Sequence, residues 1–189
     1  KNISVGSLTM TTEDTSYISQ TIISNVVFNS GEDSTAILDG FSTNNISCIN
    51  SSPILQNLSV TGYGIYDGDG CDPCGGGVYC LNSDAKIRNI IIKESNARYG
   101  GGLYCDESSL TLTDVIIRDN IIFNSGGGIY SKNSAVILEN VNIIDNTFSH
   151  SDFGGGIRCS NSSMILENVN ITGNYANDAG AGIFCGGCD

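Results

Sequence analysis

A six-residue pattern recurs through the chain and restricts the folds open to it. Gly75-Gly76-Gly77-Val78-Tyr79-Cys80 returns as Gly100-Gly101-Gly102-Leu103-Tyr104-Cys105 and as Gly126-Gly127-Gly128-Ile129-Tyr130-Ser131. It returns again as Gly154-Gly155-Gly156-Ile157-Arg158-Cys159 and as Gly180-Ala181-Gly182-Ile183-Phe184-Cys185. The first glycines of these copies are 25, 26, 28 and 26 residues apart. A second block follows each run: Ala85, Ile87, Ile90 and Ile92 are answered by Leu110, Leu112, Val115 and Ile117. Val136, Leu138, Val141 and Ile143 continue the series, as do Met164, Leu166, Val169 and Ile171, with Pro53, Leu55, Leu58 and Val60 as an earlier copy. An asparagine follows the block at Asn96, Asn120, Asn146 and Asn174. Units this short cannot bury an apolar face alone, whereas stacked neighbours can.

Inside each block the apolar residues alternate, slip by one position and alternate again. Alternation means a strand with one buried face, and a one-residue slip keeps that face inward where the chain turns a corner. An amphipathic helix would need apolar residues three and four apart over a dozen positions, and a propeller blade needs about 40 residues. The chain is rich in Ile, Val and Leu, with 24 glycines and two prolines, a balance that favours strands and turns. The expected fold is all-β, a single-stranded right-handed parallel β-helix with three short strands per coil of about 25 residues. One strand lies at the glycine–cysteine motif, one before the slip and one after it.

Stacked coils turn equivalent residues into ladders. Cys48, Cys80, Cys105, Ser131, Cys159 and Cys185 share one inward position, where a small thiol packs as a hydrophobe. Asn57, Asn89, Asp114, Asn140 and Asn168 stand at the slip, where Asn tolerates corner dihedrals and its amide can bond the next coil. Tyr79, Tyr104 and Tyr130, followed by Arg158 and Phe184, alternate outward beside the cysteines and form a candidate ligand face.

Eight cysteines raise the question of disulfides. Neighbouring ladder thiols point the same way, which suits bridging poorly, so most are expected free and buried. Cys71 and Cys74 are placed to bridge locally and pin a loop. The pairs Cys71/Cys74 and Cys185/Cys188 would sit roughly 19 Å apart at strand spacing, too far to share one zinc ion. Asp67, Asp69 and Asp72 in a Gly-rich turn are the one candidate cation site, for calcium, without the full twelve-residue pattern of a calcium loop. His150 is the single histidine, in a Ser/Asp-rich corner, and no nucleophile-elbow sequence accompanies it. The glycine runs lack the Lys-Ser/Thr of a phosphate loop. No catalytic residues are identified. The formal charge of −12 opposes nucleic-acid binding, and no apolar run is long enough for a membrane-spanning helix.

The whole chain, 1–189, reads as a single β-helix domain, with 1–45 as irregular leading coils. Regular coils fill 46–189, interrupted by an inserted loop at 61–74, and the chain is expected to be a fragment of a longer one. Alternation in the leading part is carried by Ile3/Val5, Val26/Phe28 and Ala36/Leu38/Phe41. The Gly-Gly-Gly-Ile-x-Cys units, the Asn161-Ser162-Ser163 to Asn174 unit and the Ile117-Arg118-Asp119-Asn120 type of ending resemble secreted bacterial right-handed β-helix proteins of the pectin-lyase-like superfamily. They are also similar to the repeats of polymorphic outer-membrane proteins. The resemblance implies an extracellular or cell-surface scaffold engaged in adhesion or ligand binding, with a carbohydrate or a surface protein as partner. The alternative it implies is a polysaccharide-binding protein, or a calcium-dependent polysaccharide lyase or hydrolase. No residue set of those enzymes maps onto this sequence, and no cofactor beyond calcium is expected.

Overall fold

The computed structural model describes residues 3–62, 75–148 and 153–188. Its main feature is one strongly curled, all-parallel sheet of 16 strands, with a continuous hydrogen-bonded path of eleven. A solenoid-like architecture produces such a sheet, because each strand pairs with its equivalent one repeat further on. Val78–Leu81 pairs with Leu103–Asp106, which pairs with Ile129–Lys132, then Ile157–Ser160, then Ile183–Gly186. The second block pairs likewise: Ile54–Val60, Lys86–Lys93 and Ser109–Arg118 follow one another in register. In later repeats the block divides into Ala135–Glu139 with Asn142–Ile144, and Ser163–Glu167 with Asn170–Thr172. Ser42–Ile49 joins the two halves of the curl, since Ser42 and Thr43 pair with Ser59 and Val60 while Ile46 to Ile49 pair with Val78 to Leu81.

The slip in the alternation is a backbone event. Asn57, Asn89, Asp114, Asn140 and Asn168 all have φ between 51° and 55°. One left-handed residue rotates the following strand so that its odd positions, not its even ones, face inward. Asn and Asp carry that conformation at least cost among residues with a Cβ. In three repeats the corner is shallow enough that the strand continues through it, as Ile54–Val60, Lys86–Lys93 and Ser109–Arg118.

Three further left-handed corners occur in the regular repeat. One follows the cysteine strand at Asn50, Asn82, Glu107, Asn133 and Asn161, and another lies at Glu94, Asp119, Asp145 and Gly173. The last is the opening glycine of each run, Gly75, Gly100, Gly126, Gly154 and Gly180. A strand position beyond the three expected, one that alternation did not reveal, follows the second of these corners. Asn96–Tyr99, Ile121–Ser125 and Thr147–Phe148 pair in parallel as a separate three-stranded sheet. These strands bury at most one apolar side chain each, Ala97 in the first and Ile122 in the second, too few to register as a period.

The apolar residues of both blocks close into one core, from Leu38 and Phe41 through Leu112, Val115 and Ile117 to Ile157. In the leading part Ala36, Leu38 and Phe41 are buried, but Ile3 and Val5 are each 47 % exposed. Their strand, Ser4–Gly6, pairs on one side only, with Ile37–Asp39, and no further repeat covers it among the described residues. Two short helices, Thr9–Thr12 and Ser16–Gln20, also interrupt this part, where the sequence shows no helical period. Hydroxyls of Thr11 and Thr12 bond the Leu8 carbonyl, and Glu13 ends the first helix at φ 59°.

Candidate functional site

The ladders are the chain's concentrated chemistry, and each is built by parallel register. Cys48, Cys80, Cys105, Ser131 and Cys159 follow one another across paired strands and are all 0–1 % exposed. Cys185 is the next rung but lies exposed at the end of the stack. Cys48, Cys80, Cys105 and Cys185 are free thiols. Cys159 is not: it forms a disulfide with Cys188, with Cα atoms 6.4 Å apart. Adjacent rungs are register partners on parallel strands, whereas Cys188 lies beyond the last strand, Ile183–Gly186. The expected Cys71–Cys74 link, the Asp67/Asp69/Asp72 cation site and His150 all fall outside the described residues.

Burial and the neighbouring thiol rung together raise the buried thiols. The bonded Cys48 thiol, first, and burial push Cys80 well above the ordinary range. Burial, with only partial relief from Ser131, pushes Cys105 from 9.0 to about 12. A neutral thiol inside and a thiolate in the unfolded chain give a definite sign. Between about pH 9 and 12 the folded state holds more protons at this site, so stability falls as pH rises, by at most about 1.4 kcal/mol per pH unit. In urea titrations from pH 8 upward, Cys105→Ala should flatten that decline; an unchanged slope would show that another group carries it.

The tyrosines pack on one another. Tyr79 stacks on Tyr104 at 5.6 Å between centroids, and Tyr104 meets Tyr130 edge-on at 5.3 Å. Arg158 continues the strip, its guanidinium 5.3 Å from the Tyr130 ring and 5.6 Å from both Phe153 and Phe184, and it donates to the Ser125 hydroxyl. Tyr104 and Tyr130 retain 7 % and 9 % exposure, so most of the ring area expected to meet a ligand is already covered. Beside them, Asp106 accepts from Lys132 at 2.8 Å, from Asn133 at 3.1 Å and from Tyr104 at 3.4 Å. Burial, and then the Asp106 charge, push the Tyr104 phenol far up, while the Asp106 hydrogen bond raises Lys132. This is the nearest approach to a catalytic constellation among the described residues, and it holds a single carboxylate. Three other basic groups have local partners: Arg88 bonds Gln56, Lys93 pairs with Glu94, and Arg118 pairs with Asp119.

The asparagines divide into two ladders of different character. At the slip they are surface groups: Asn89 donates to Asn57, Asn140 to Asp114 and Asn168 to Asn140. The ladder after the block is internal. Asn120 and Asn146 are fully buried, and each amide nitrogen bonds the next side-chain oxygen at 2.8 Å, ending at Asn174. Its first rung is Ser95, not Asn96, because Asn96 pairs with Ile121 and the Ser95 amide donates to Asn120. A serine ladder went unrecognised in the sequence. The amides of Ser83, Ser108 and Ser134 donate to the hydroxyls of Ser108, Ser134 and Ser162. Its signal was present as Asn-Ser at 82–83, 133–134 and 161–162. The shallow groove beside it has Glu107 as its only ionisable lining residue.

Among the described residues, one group of three or more potential metal ligands converges: Cys159, Cys185 and Cys188. Among the described residues no carboxylate cluster does so, and no helix there is long and apolar enough to cross a membrane. Comparison with protein-family models, curated proteins and solved structures finds no match to this chain.

Proposed function

We propose that this chain is a right-handed, single-stranded parallel β-helix of the pectin-lyase-like kind, three strands to a coil of about 25 residues, acting as an extracellular or cell-surface scaffold. Its long faces contact a carbohydrate or a surface protein, in adhesion or ligand binding. One observation carries the reading: series of described side chains are engaged with their equivalents one repeat away. Asn120 bonds Asn146, Ser108 meets Ser134, and Tyr79 stacks on Tyr104. Such side chains build a stiff, repetitive surface, whereas hydrolysis or elimination at a sugar needs carboxylates and a base gathered around one bond.

The competing reading, calcium-dependent cleavage of polysaccharide, rests on the Asp67, Asp69 and Asp72 turn of the sequence. Incubation of the folded protein with a panel of acidic polysaccharides, with and without calcium, separates the two. The scaffold reading expects no release of unsaturated or reducing ends. Calcium-dependent product that disappears in Asp67→Ala/Asp69→Ala would replace it with the lyase or hydrolase reading.

A further inference from the structure

The end of the cysteine ladder holds a surplus sulfur. Cys159 and Cys185 are register partners on adjacent parallel strands, so their side chains lie side by side on one face. The chain then passes through Gly186 and Gly187, the latter at φ 69°, and Cys188 turns back over that face. The three sulfurs lie within 4.8 Å of one another, with two joined as the Cys159–Cys188 disulfide and Cys185 left as an exposed thiol. A thiolate held this close to a disulfide is the arrangement from which thiol–disulfide exchange proceeds.

We propose that Cys159, Cys185 and Cys188 share one disulfide, and that Cys185 is the thiol that moves it. The Cys185 thiol gives its proton to solvent, and its sulfur bonds to Sγ of Cys188 as the Cys159–Cys188 bond breaks. The displaced electron pair leaves on Sγ of Cys159, which takes a proton from water. One S–S bond forms and one breaks, so no external oxidant or reductant is required. In the first state the link ties residues 186–188 back to the preceding strand; in the second it closes a small ring across Gly186 and Gly187. Cys159 is then a free thiol in the buried series of Cys48, Cys80 and Cys105. Expelling a thiolate into a site 1 % exposed is unfavourable, so Cys159–Cys188 is the major form.

The test uses the intact oxidised protein, jumped to a series of pH values, quenched in acid, alkylated and digested. Mass spectrometry then identifies which one of the three cysteines is alkylated. The expected result is Cys185 alkylated in most molecules and Cys159 in a minority, with relaxation after the jump accelerating about tenfold per pH unit below the thiol pKa. The relaxation should be independent of protein concentration and unchanged in Cys71→Ser/Cys74→Ser, which removes the other closely spaced pair. A single linkage at every pH, or a second linkage that grows with protein concentration, would overturn the proposal.

Discussion

Gly128→Ala is expected to cost about 3 kcal/mol and to lower the midpoint of thermal unfolding by roughly 6–12 °C. A Cβ at this position would stand 2.6 Å from the carbonyl oxygen of Gly156, one repeat ahead, and 2.6 Å from Cγ2 of Ile143. The oxygen belongs to the backbone and accepts the Ile129 amide at 2.9 Å, so it cannot swing aside. Ile143 is fully buried and has no free space to enter. The remaining adjustment is to separate two strands whose hydrogen bonds hold the repeats together. Gly186→Ala is the matched control, because a Cβ there meets nothing within 4 Å. It should change stability by no more than about 0.5 kcal/mol. If the two variants unfold at the same temperature by circular dichroism, close approach of the repeats is not what selects glycine in these runs.

Asn146→Ala should be comparably damaging, at about 4 kcal/mol, through polar groups rather than packing. The Asn146 side-chain oxygen accepts from both the backbone and the side-chain nitrogen of Asn120, at 3.1 and 2.8 Å. Its amide nitrogen donates to the Ile117 carbonyl at 3.0 Å and to Asn174 at 2.8 Å. All four bonds vanish together, and the groups on Asn120 and Ile117 stay behind in the interior, where an unsatisfied donor or acceptor costs about 1–3 kcal/mol each. Asn140→Gly provides the contrast. Asn140 is an exposed asparagine at φ 55°, so glycine loses surface bonds but keeps the backbone conformation at little cost. Denaturant midpoints should separate the two variants by several-fold in free energy. Equal losses would mean that the internal ladder contributes no more than a surface turn.

The contrast between these two asparagines marks how far the sequence could be read. Asn140 declares itself through the slip in alternation around it, since a residue that shifts the inward phase must sit at a corner. Asn146 has no such local signature: Asn96 occupies a similar place after its own block, yet Ser95 is the rung that the fold uses. A polar residue is assigned to the interior by what stacks above and below it, and one repeat alone does not contain that information. The same reasoning applies to Tyr104 and Tyr130. Alternation directs them away from the core, but only the packed strip shows that neighbouring rings and Arg158 cover what alternation leaves open.

Periodicity and phase were enough, from the sequence, to establish stacked parallel strands, the composition of the core and the residues at the slip. These depend on local backbone rules repeated several times, so each copy corroborates the others. Only the tertiary structure decided the small three-stranded sheet, the short helices up to Gln20, the exposure of Ile3 and Val5, and the pairing of Cys159 with Cys188 rather than with a rung of its own ladder. Each of these occurs where the repeat is too short, interrupted or ended. There the neighbouring chain in space, not the period, determines what a residue touches.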